Sequence, residues 1–304
     1  MPMSTKTARS RTRAFSSDDS VEISFMRILR LAPLALGIAV VAGCHQDITG
    51  TTTAIPQLAY VRYVHAMPDT GEVDVHLVDK VENLNFADPS TGYTPYRYVS
   101  QYSGIEAGSR HFRVFTNMQS TDINVVSQVI LDTTLTLAPN TYYTILHSGF
   151  ARTGATPHQQ FVLLTDSRPN VAASQVGMRI ILAGPGIGPL DVYTTKDTAT
   201  ATPLPASPAF TNVAFGTPSS WSNFATGAMA VRVFAAGTTT PTLTKVPAPA
   251  GAAAQPLLDP VAGTTVAGSA LTAFVFPPGV AGSPNNKITT AGVGYGIDVR
   301  PPRP

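Results

Sequence analysis

Charge is scarce in this chain: Asp, Glu, Lys and Arg make up 12% of its 304 residues, about half the share usual in a soluble domain. The little there is lies unevenly, because six of the twenty basic and three of the eighteen acidic residues precede Cys44. That leaves fourteen basic and fifteen acidic side chains for the remainder, so the formal charge of +2 belongs to the N-terminal segment. Such a balance argues against a nucleic-acid partner bound by phosphate neutralisation. Cysteine is scarcer still. The one thiol, Cys44, excludes an internal disulfide framework and any multi-cysteine metal site. After Cys44 no sustained 3.6-residue apolar period of helix length occurs. With 24 Gly and 26 Pro, the composition also opposes a helical bundle.

The uncharged run Leu31–Val41 is eleven residues long and follows Arg27 and Arg30. A bilayer span takes about 20 apolar residues, so this run is too short for a permanent transmembrane helix. A basic stretch, a short apolar core and the small residues Ala42 and Gly43 read instead as a secretory signal. Val41-Ala42-Gly43-Cys44 resembles the bacterial lipobox, in which the cysteine is lipidated and becomes the first mature residue. Several acyl chains on one residue give stable membrane attachment where one chain is marginal. The alternative is an ordinary secreted protein cut near Gly43 with a free thiol. His45, rather than Asp, after the cysteine implies the outer membrane if the cell is Gram-negative. Met26 would begin a compact signal, leaving residues 1–25 as an over-extended start or a long basic region. A Thr-rich tether completes the segment 44–57.

The body is one unit written twice. Val61–Ala66 matches Met178–Ala183 at a shift of 117, and Val73–His76 falls on Leu190–Tyr193 at the same shift. Tyr102, Gly108 and Arg113–Phe115 fall on Trp221, Gly227 and Arg232–Phe234 at 119. Thr136–Ala138 and Ile145-Leu146 match Thr265–Ala267 and Phe274-Val275 at 129, and Asp166–Pro169 matches Asp298–Pro301 at 132. The shift only grows, with its largest jump at the low-complexity insert Val246–Pro256. Two repeats follow, 58–170 and 171–304.

Alternating β-branched or aromatic and polar residues predict strands at Tyr60–Ala66, Val73–Val78, Arg110–Thr116, Gln128–Leu137, Thr141–His147 and Gln160–Thr165, with a weaker one at Tyr96–Tyr102. Seven short strands in one unit is the count of an immunoglobulin-like sandwich. The expected fold class is therefore all-β, two tandem immunoglobulin-like sandwiches. A single larger sandwich or barrel built from both halves is the alternative. Val61–Val78, then Ala107-Gly108, Phe112–Phe115 and Ala138–Thr144, resemble a bacterial cell-envelope family of unknown function, DUF4397. Its members are often lipoproteins or secreted proteins with the unit in tandem. The resemblance spans most of Leu58–Pro304, is better in the first copy, and implies a fold and an address but no reaction or ligand.

Chemical motifs are few. Gly184–Pro189 is not a phosphate loop, since two prolines remove donors and no helix follows; by repeat alignment it holds the place of the turn Met67–Gly71. Gly292–Gly296 reads as a glycine-rich last strand. All six histidines precede the second repeat, but His65, His76, His111 and His147 align with Leu182, Tyr193, Ala230 and Phe276, so no metal or other cofactor is expected. No nucleophile elbow occurs, and His147 and Ser148, adjacent on a strand, point to opposite faces. Asp74 and Asp191, and Asp166 and Asp298, recur in both copies, which favours a structural role such as capping a turn or pairing with Arg62 and Arg179. The candidate ligand-binding residues are aromatic: Tyr96, Tyr98 and Tyr102 share strand parity, and Trp221 stands at the place of Tyr102. Flat rings on one face stack on sugars or contact a partner, whereas the structural alternative places them inside the sandwich.

The function expected is a lipid-anchored cell-envelope binding or structural module, not an enzyme. Its partners would be the membrane through Cys44 and a glycan or envelope protein. A glycan-directed extracytoplasmic hydrolase with a site between the two units, or a periplasmic scaffold component, are the alternatives. Functional groups present in one copy and converging on the cleft between the units would discriminate among them.

Overall fold

The computed structural model describes residues 55–79, 86–87, 92–117, 121–196 and 203–302. The leader, Cys44 and all but the last residues of the tether lie outside the described residues. Repeat 1 supplies β1 (Leu58–His65), β2 (Val73–Leu77), β3 (Ser103–Glu106), β4 (Gly108–Thr116), β5 (Val129–Leu137), β6 (Tyr142–Ser148) and β7 (Gln160–Asp166). Repeat 2 supplies β8 (Gln175–Leu182), β9 (Leu190–Thr195), β10 (Phe210–Val213), β11 (Ser222–Ala225), β12 (Ala230–Ala235), β13 (Pro241–Pro247), β14 (Ala270–Phe276) and β15 (Gly292–Val299). Among the described residues the one helix is the single turn α1 (Ile123–Val126), capped by the Asp122 carboxylate at Asn124 N. The fold is all-β, as expected.

Each repeat is a sandwich of two sheets. In repeat 1 the order β3-β1-β6-β7 faces β2-β4-β5, and in repeat 2 β11-β8-β14-β15 faces β10-β9-β12-β13. Three cores follow from strand parity. Val61, Tyr63, Phe112, Val114 and Ile145 fill the first sandwich, and Met178, Ile180, Val192, Val231 and Ala273 fill the second. The opposite faces of β1, β6, β8 and β14 meet between the repeats, where Val64, Leu146, Ile181, Phe274 and Phe276 form the third core. The inner strands β1, β6, β8 and β14 of these two central sheets are therefore covered on both sides. That is why β14 (ALTAFVF) shows no alternation and is buried throughout, whereas β2 alternates buried and half-buried. The central pairs β1/β6 and β8/β14 run parallel.

The likeness of the two halves extends to single hydrogen bonds. Tyr63 N donates to Ser100 Oγ at 2.9 Å and Ile180 N to Ser219 Oγ at 2.9 Å. Arg97 N donates to His65 O, and Gly216 N to Leu182 O, each at 2.9 Å. Turns Met67–Gly71 and Gly184–Pro189 both follow the first central strand: Ala66 N donates to His147 O and Ala183 N to Val275 O, each at 2.8 Å.

That last pair corrects the alignment. Arg62 stands opposite Thr144 in β1/β6, and Arg179 opposite Thr272 in β8/β14. The shift is thus 128 there, not 129: Leu146 corresponds to Phe274, and His147 to Val275 rather than Phe276. A slip of one residue moves a side chain to the other sheet face, so the correction changes which residues line the seam. The match of Thr136–Ala138 with Thr265–Ala267 also fails. Thr136 and Leu137 close β5, while the second triplet lies in the long 248–269 connection between β13 and β14. Val246 and Pro247 belong to β13, so the insert starts after them. Tyr96–Tyr102 is not a regular strand: Tyr96 and Arg97 form a turn, Val99 makes an isolated bridge to Val64, and the strand comes next, as β3.

Candidate functional site at the repeat seam

Arg62 and Arg179 sit in mid-strand with parity opposite to Tyr63 and Ile180, so both guanidiniums enter the seam, 0% and 2% exposed. Taking them from water costs several kcal/mol per ion unless partners replace the lost solvation. Asp166 and Asp298, at the ends of β7 and β15, provide those partners. Arg62 Nη2 donates to Asp298 Oδ1 at 3.1 Å and lies 3.8 Å from Asp166 Oδ2. Arg179 Nη2 donates to Asp166 Oδ1 and, at 3.1 Å, to Asp298 Oδ1. Two threonines close the network: Thr144 Oγ1 donates to Asp166 Oδ2 at 2.6 Å and Thr272 Oγ1 to Asp298 Oδ2 at 2.7 Å. The same hydroxyls accept from Arg62 Nε at 3.2 Å and Arg179 Nε at 2.8 Å. Two positive and two negative charges thus cancel across a pseudo-twofold arrangement. The pairing of both aspartates with both arginines is the structural role that their recurrence implied. Burial by itself would lower the Arg62 pKa, but Asp298, with Tyr102 and Asp166, outweighs it and holds the group above its ordinary value.

Aromatic rings cap the cluster on both sides. Arg62 Cζ lies 4.5 Å from the centroid of Tyr102, and Arg179 Cζ 4.8 Å from that of Trp221. Tyr102 OH donates to Asp166 Oδ2 at 2.8 Å and to Asp298 Oδ1 at 3.1 Å; burial raises its pKa strongly. Trp221 Nε1 donates to Ser167 O at 3.1 Å. The glycine-rich β15 makes room for this packing. A Cβ on Gly296 would lie 3.0 Å from Arg62 Cζ and closer still to Nη1, and one on Gly292 would lie 2.9 Å from Arg97 Cζ.

The four sequence candidates therefore divide. Tyr102 and Trp221 sit at equivalent places on the charge cluster. Tyr96 is buried against Phe276 and His65, its hydroxyl donating to Pro277 O at 2.8 Å, and its pKa is pushed up to about 12 by burial. Tyr98 is half-buried. The turn at Arg97, with φ of 73°, breaks the parity on which a strip of Tyr96, Tyr98 and Tyr102 was read.

Beside Tyr102 the seam opens into a cleft of about 260 Å³ walled by both repeats. Repeat 1 contributes Tyr60, Gln101 and Tyr142 as well as Tyr102, and repeat 2 contributes Ile297, Asp298 and Arg300; Arg168 closes one side. Tyr60 and Tyr142 face each other across β1/β6 and stack at 4.6 Å and 14°. Arg168 Cζ lies 4.7 Å from the Tyr142 centroid, and its Nε donates to Asp298 O at 3.2 Å. Sequence reasoning missed Tyr60, Tyr142, Gln101, Arg168 and Arg300. The signal was there: Tyr60 and Tyr142 correspond to Gly177 and Ala270, neighbours across β8/β14. The 129 register hid the second equivalence.

Two histidines form a separate buried pair. His65 and His147 are neighbours across β1/β6, their rings stacked at 5.6 Å and 20°. His65 Nδ1 lies 3.1 Å from Thr94 O, and Tyr63 OH lies 2.7 Å from His147 Nδ1. Both Nε2 atoms are buried without a hydrogen-bond partner among the described residues. Burial lowers the His65 pKa to about 4, and burial with the neighbouring His65 takes His147 well below its ordinary value. The described residues hold no group of three or more His, Cys, Asp or Glu side chains able to bind a metal, and no helix long and apolar enough to cross a membrane.

Residues 59–193 match the model of a family described as a domain of unknown function, DUF4397, in agreement with the resemblance read from the residues. The matched span covers repeat 1 and continues through β8 into β9. Among solved structures the chain is similar to a "Putative cell adhesion protein from Parabacteroides distasonis", at 10% identity over 80% of this chain and 98% of that one, with a TM-score of 0.18. No curated protein matches the chain.

Proposed function

We propose that this chain is a lipid-anchored cell-envelope module that binds a ligand and does not transform it. Two sandwich units, 58–170 and 171–304, hold the ligand cleft away from the membrane to which Cys44 attaches them, the outer membrane if the cell is Gram-negative. The observation that carries the reading is the seam cleft. Side chains that set the two repeats together are kept in both copies, whereas Tyr60 and Tyr142 occur in one copy and have no counterpart in the scaffold of the other. The hydrolase alternative would use Asp166 and Asp298, the carboxylates nearest the cleft. All four of their oxygens already accept a hydrogen bond, and each shares guanidinium charge. Such carboxylates are poorly placed to act as a general acid and base.

Two measurements on the natural full-length product test this reading. Mass analysis of the membrane-extracted protein should find an acylated Cys44 as the first residue, and Cys44→Ser should release the protein into the soluble fraction. A mature N-terminus elsewhere, or a Cys44→Ser protein that stays on the membrane, removes the anchor. Incubation with purified envelope material should retain the protein without generating new reducing ends. Their appearance would instead establish the hydrolase.

A further inference from the structure

We infer that the seam cleft binds a sugar that carries a carboxylate, with Arg300 and Arg168 receiving the charge and the tyrosine wall receiving the ring. This deepens the binding reading above and rests on it. Charge decides the first half. Asp298 is the acidic residue among those lining the cleft, and its carboxylate is already matched by Arg62 and Arg179, so Arg168 and Arg300 leave the cleft with a surplus of two positive charges. Arg300 is exposed and makes no hydrogen bond or ion pair with any described residue, which leaves its planar fork of donors open to a carboxylate. Arg168 is held in place from beneath, its Nε on the Asp298 carbonyl and its plane over Tyr142. A guanidinium fixed in this way loses little freedom on binding.

The lining decides the second half. A free phosphate or sulfate would satisfy the arginines but leave the apolar lining of Ile297 and the Tyr60 ring without a partner. A sugar acid has both an anionic group and an apolar C–H face, and Gln101 and Tyr60 add polar groups of the kind that hydroxyls require. The position equivalent to the tyrosine wall is occupied by Gly177 and Ala270, so the wall is not demanded by the duplicated fold.

Calorimetric titration of the full chain with an oligogalacturonate, its carboxyl-reduced neutral counterpart and inorganic phosphate tests the assignment. The uronate should bind at least about tenfold more tightly than either control, and Arg300→Ala should weaken it by about tenfold, the usual scale for one charged hydrogen-bonding partner. Because Arg300 is exposed and makes no hydrogen bond or ion pair with a described residue, its loss should leave the unfolding temperature unchanged. Equal binding of the neutral sugar, tighter binding of phosphate, or an Arg300→Ala protein that binds as before would overturn the assignment. Retention on envelope material separates the two claims. If retention persists and Arg300→Ala does not change it, the cleft assignment falls and the binding reading stands. If the natural protein is not retained at all, both fall.

Discussion

Replacing Gly296 with alanine is ordinarily a favourable change in a strand, since it removes chain entropy from the unfolded state at a gain of about 0.5–1 kcal/mol. Here the sign should reverse. The new Cβ would lie inside the contact distance of Arg62 Nη1 and 3.0 Å from Cζ, and the guanidinium has nowhere to go. It is fully buried, bonded to Asp298 and Thr144, and flanked by Tyr102 on one side and Phe274 at 4.9 Å. Overpacking a close contact costs about 1–3 kcal/mol, and displacing Arg62 would forfeit a charged hydrogen bond of about 1.5–3 kcal/mol. We expect a net loss of roughly 2–5 kcal/mol, which for a unit of this size lowers the unfolding temperature by about 5–15 °C. Gly188→Ala, where a Cβ meets nothing within 4 Å, is the control and should be neutral or better. Differential scanning calorimetry of Gly296→Ala, Arg62→Ala and the double variant completes a cycle. With Arg62 gone the added methyl has no atom to strike, so Gly296→Ala should cost little in that background. A Gly296→Ala protein as stable as the natural one, or an equal penalty with and without Arg62, refutes the claim that β15 is glycine-rich to admit the arginine.

Two further outcomes follow from the first repeat. His65 titrates near 4 in the fold and near 6.5 when unfolded, so stability should be intact above about pH 6.5 and fall towards pH 4, by roughly 3 kcal/mol for this group alone. Denaturant melts at pH 7, 5.5 and 4.5 should show that loss shrinking in a His65→Leu, His147→Val protein, which carries the side chains of Leu182 and Val275; parallel losses in both proteins would contradict it. Arg97 occupies left-handed backbone at φ 73° where the second copy has Gly216 at φ 69°. Arg97→Gly should therefore be more stable than Arg97→Ala by about 1 kcal/mol, although both lose the guanidinium contacts to the Pro277 and Thr290 carbonyls; equal melting temperatures would show the backbone there is not held left-handed.

Strand positions were legible because the outer sheets are half-covered. Where one face meets solvent, as along Val73–Leu77, alternation survives and marks both the strand and its inward side. Where both faces are covered, as along Ala270–Phe276, the pattern is featureless and the register is free to slip by one in an alignment. That slip set Phe274 opposite Ile145 instead of Leu146 and removed the contrast between Tyr142 and Ala270. The charge cluster was readable through its recurrence, because Arg62 recurs as Arg179 and Asp166-x-Arg168-Pro169 recurs as Asp298-x-Arg300-Pro301. Tyr96–Tyr102 misled for the opposite reason. Its tyrosines alternate as a strand would, but the backbone turns at Arg97, and only the alignment with Gly216 hinted at a left-handed residue there.

A buried cluster of four charges is a costly way to join two sandwiches, since well-packed apolar side chains of the same volume often hold as firmly. Its distinctive property is direction. Val64, Leu146, Ile181, Phe274 and Phe276 would tolerate some sliding of one central sheet over the other, whereas Arg62 on Asp298 and Arg179 on Asp166 tie a strand of each repeat to the end of a strand in the other. The cleft needs that constraint. Tyr60 and Tyr142 come from one repeat and Ile297 and Arg300 from the other, so a sideways slip of an ångström would separate the ring wall from the charge that is to act with it. Pairing geometry in the seam and ligand geometry in the cleft are, on this argument, two consequences of the same aspartate: Asp298 anchors Arg62 and Arg179 with its carboxylate and Arg168 with its carbonyl.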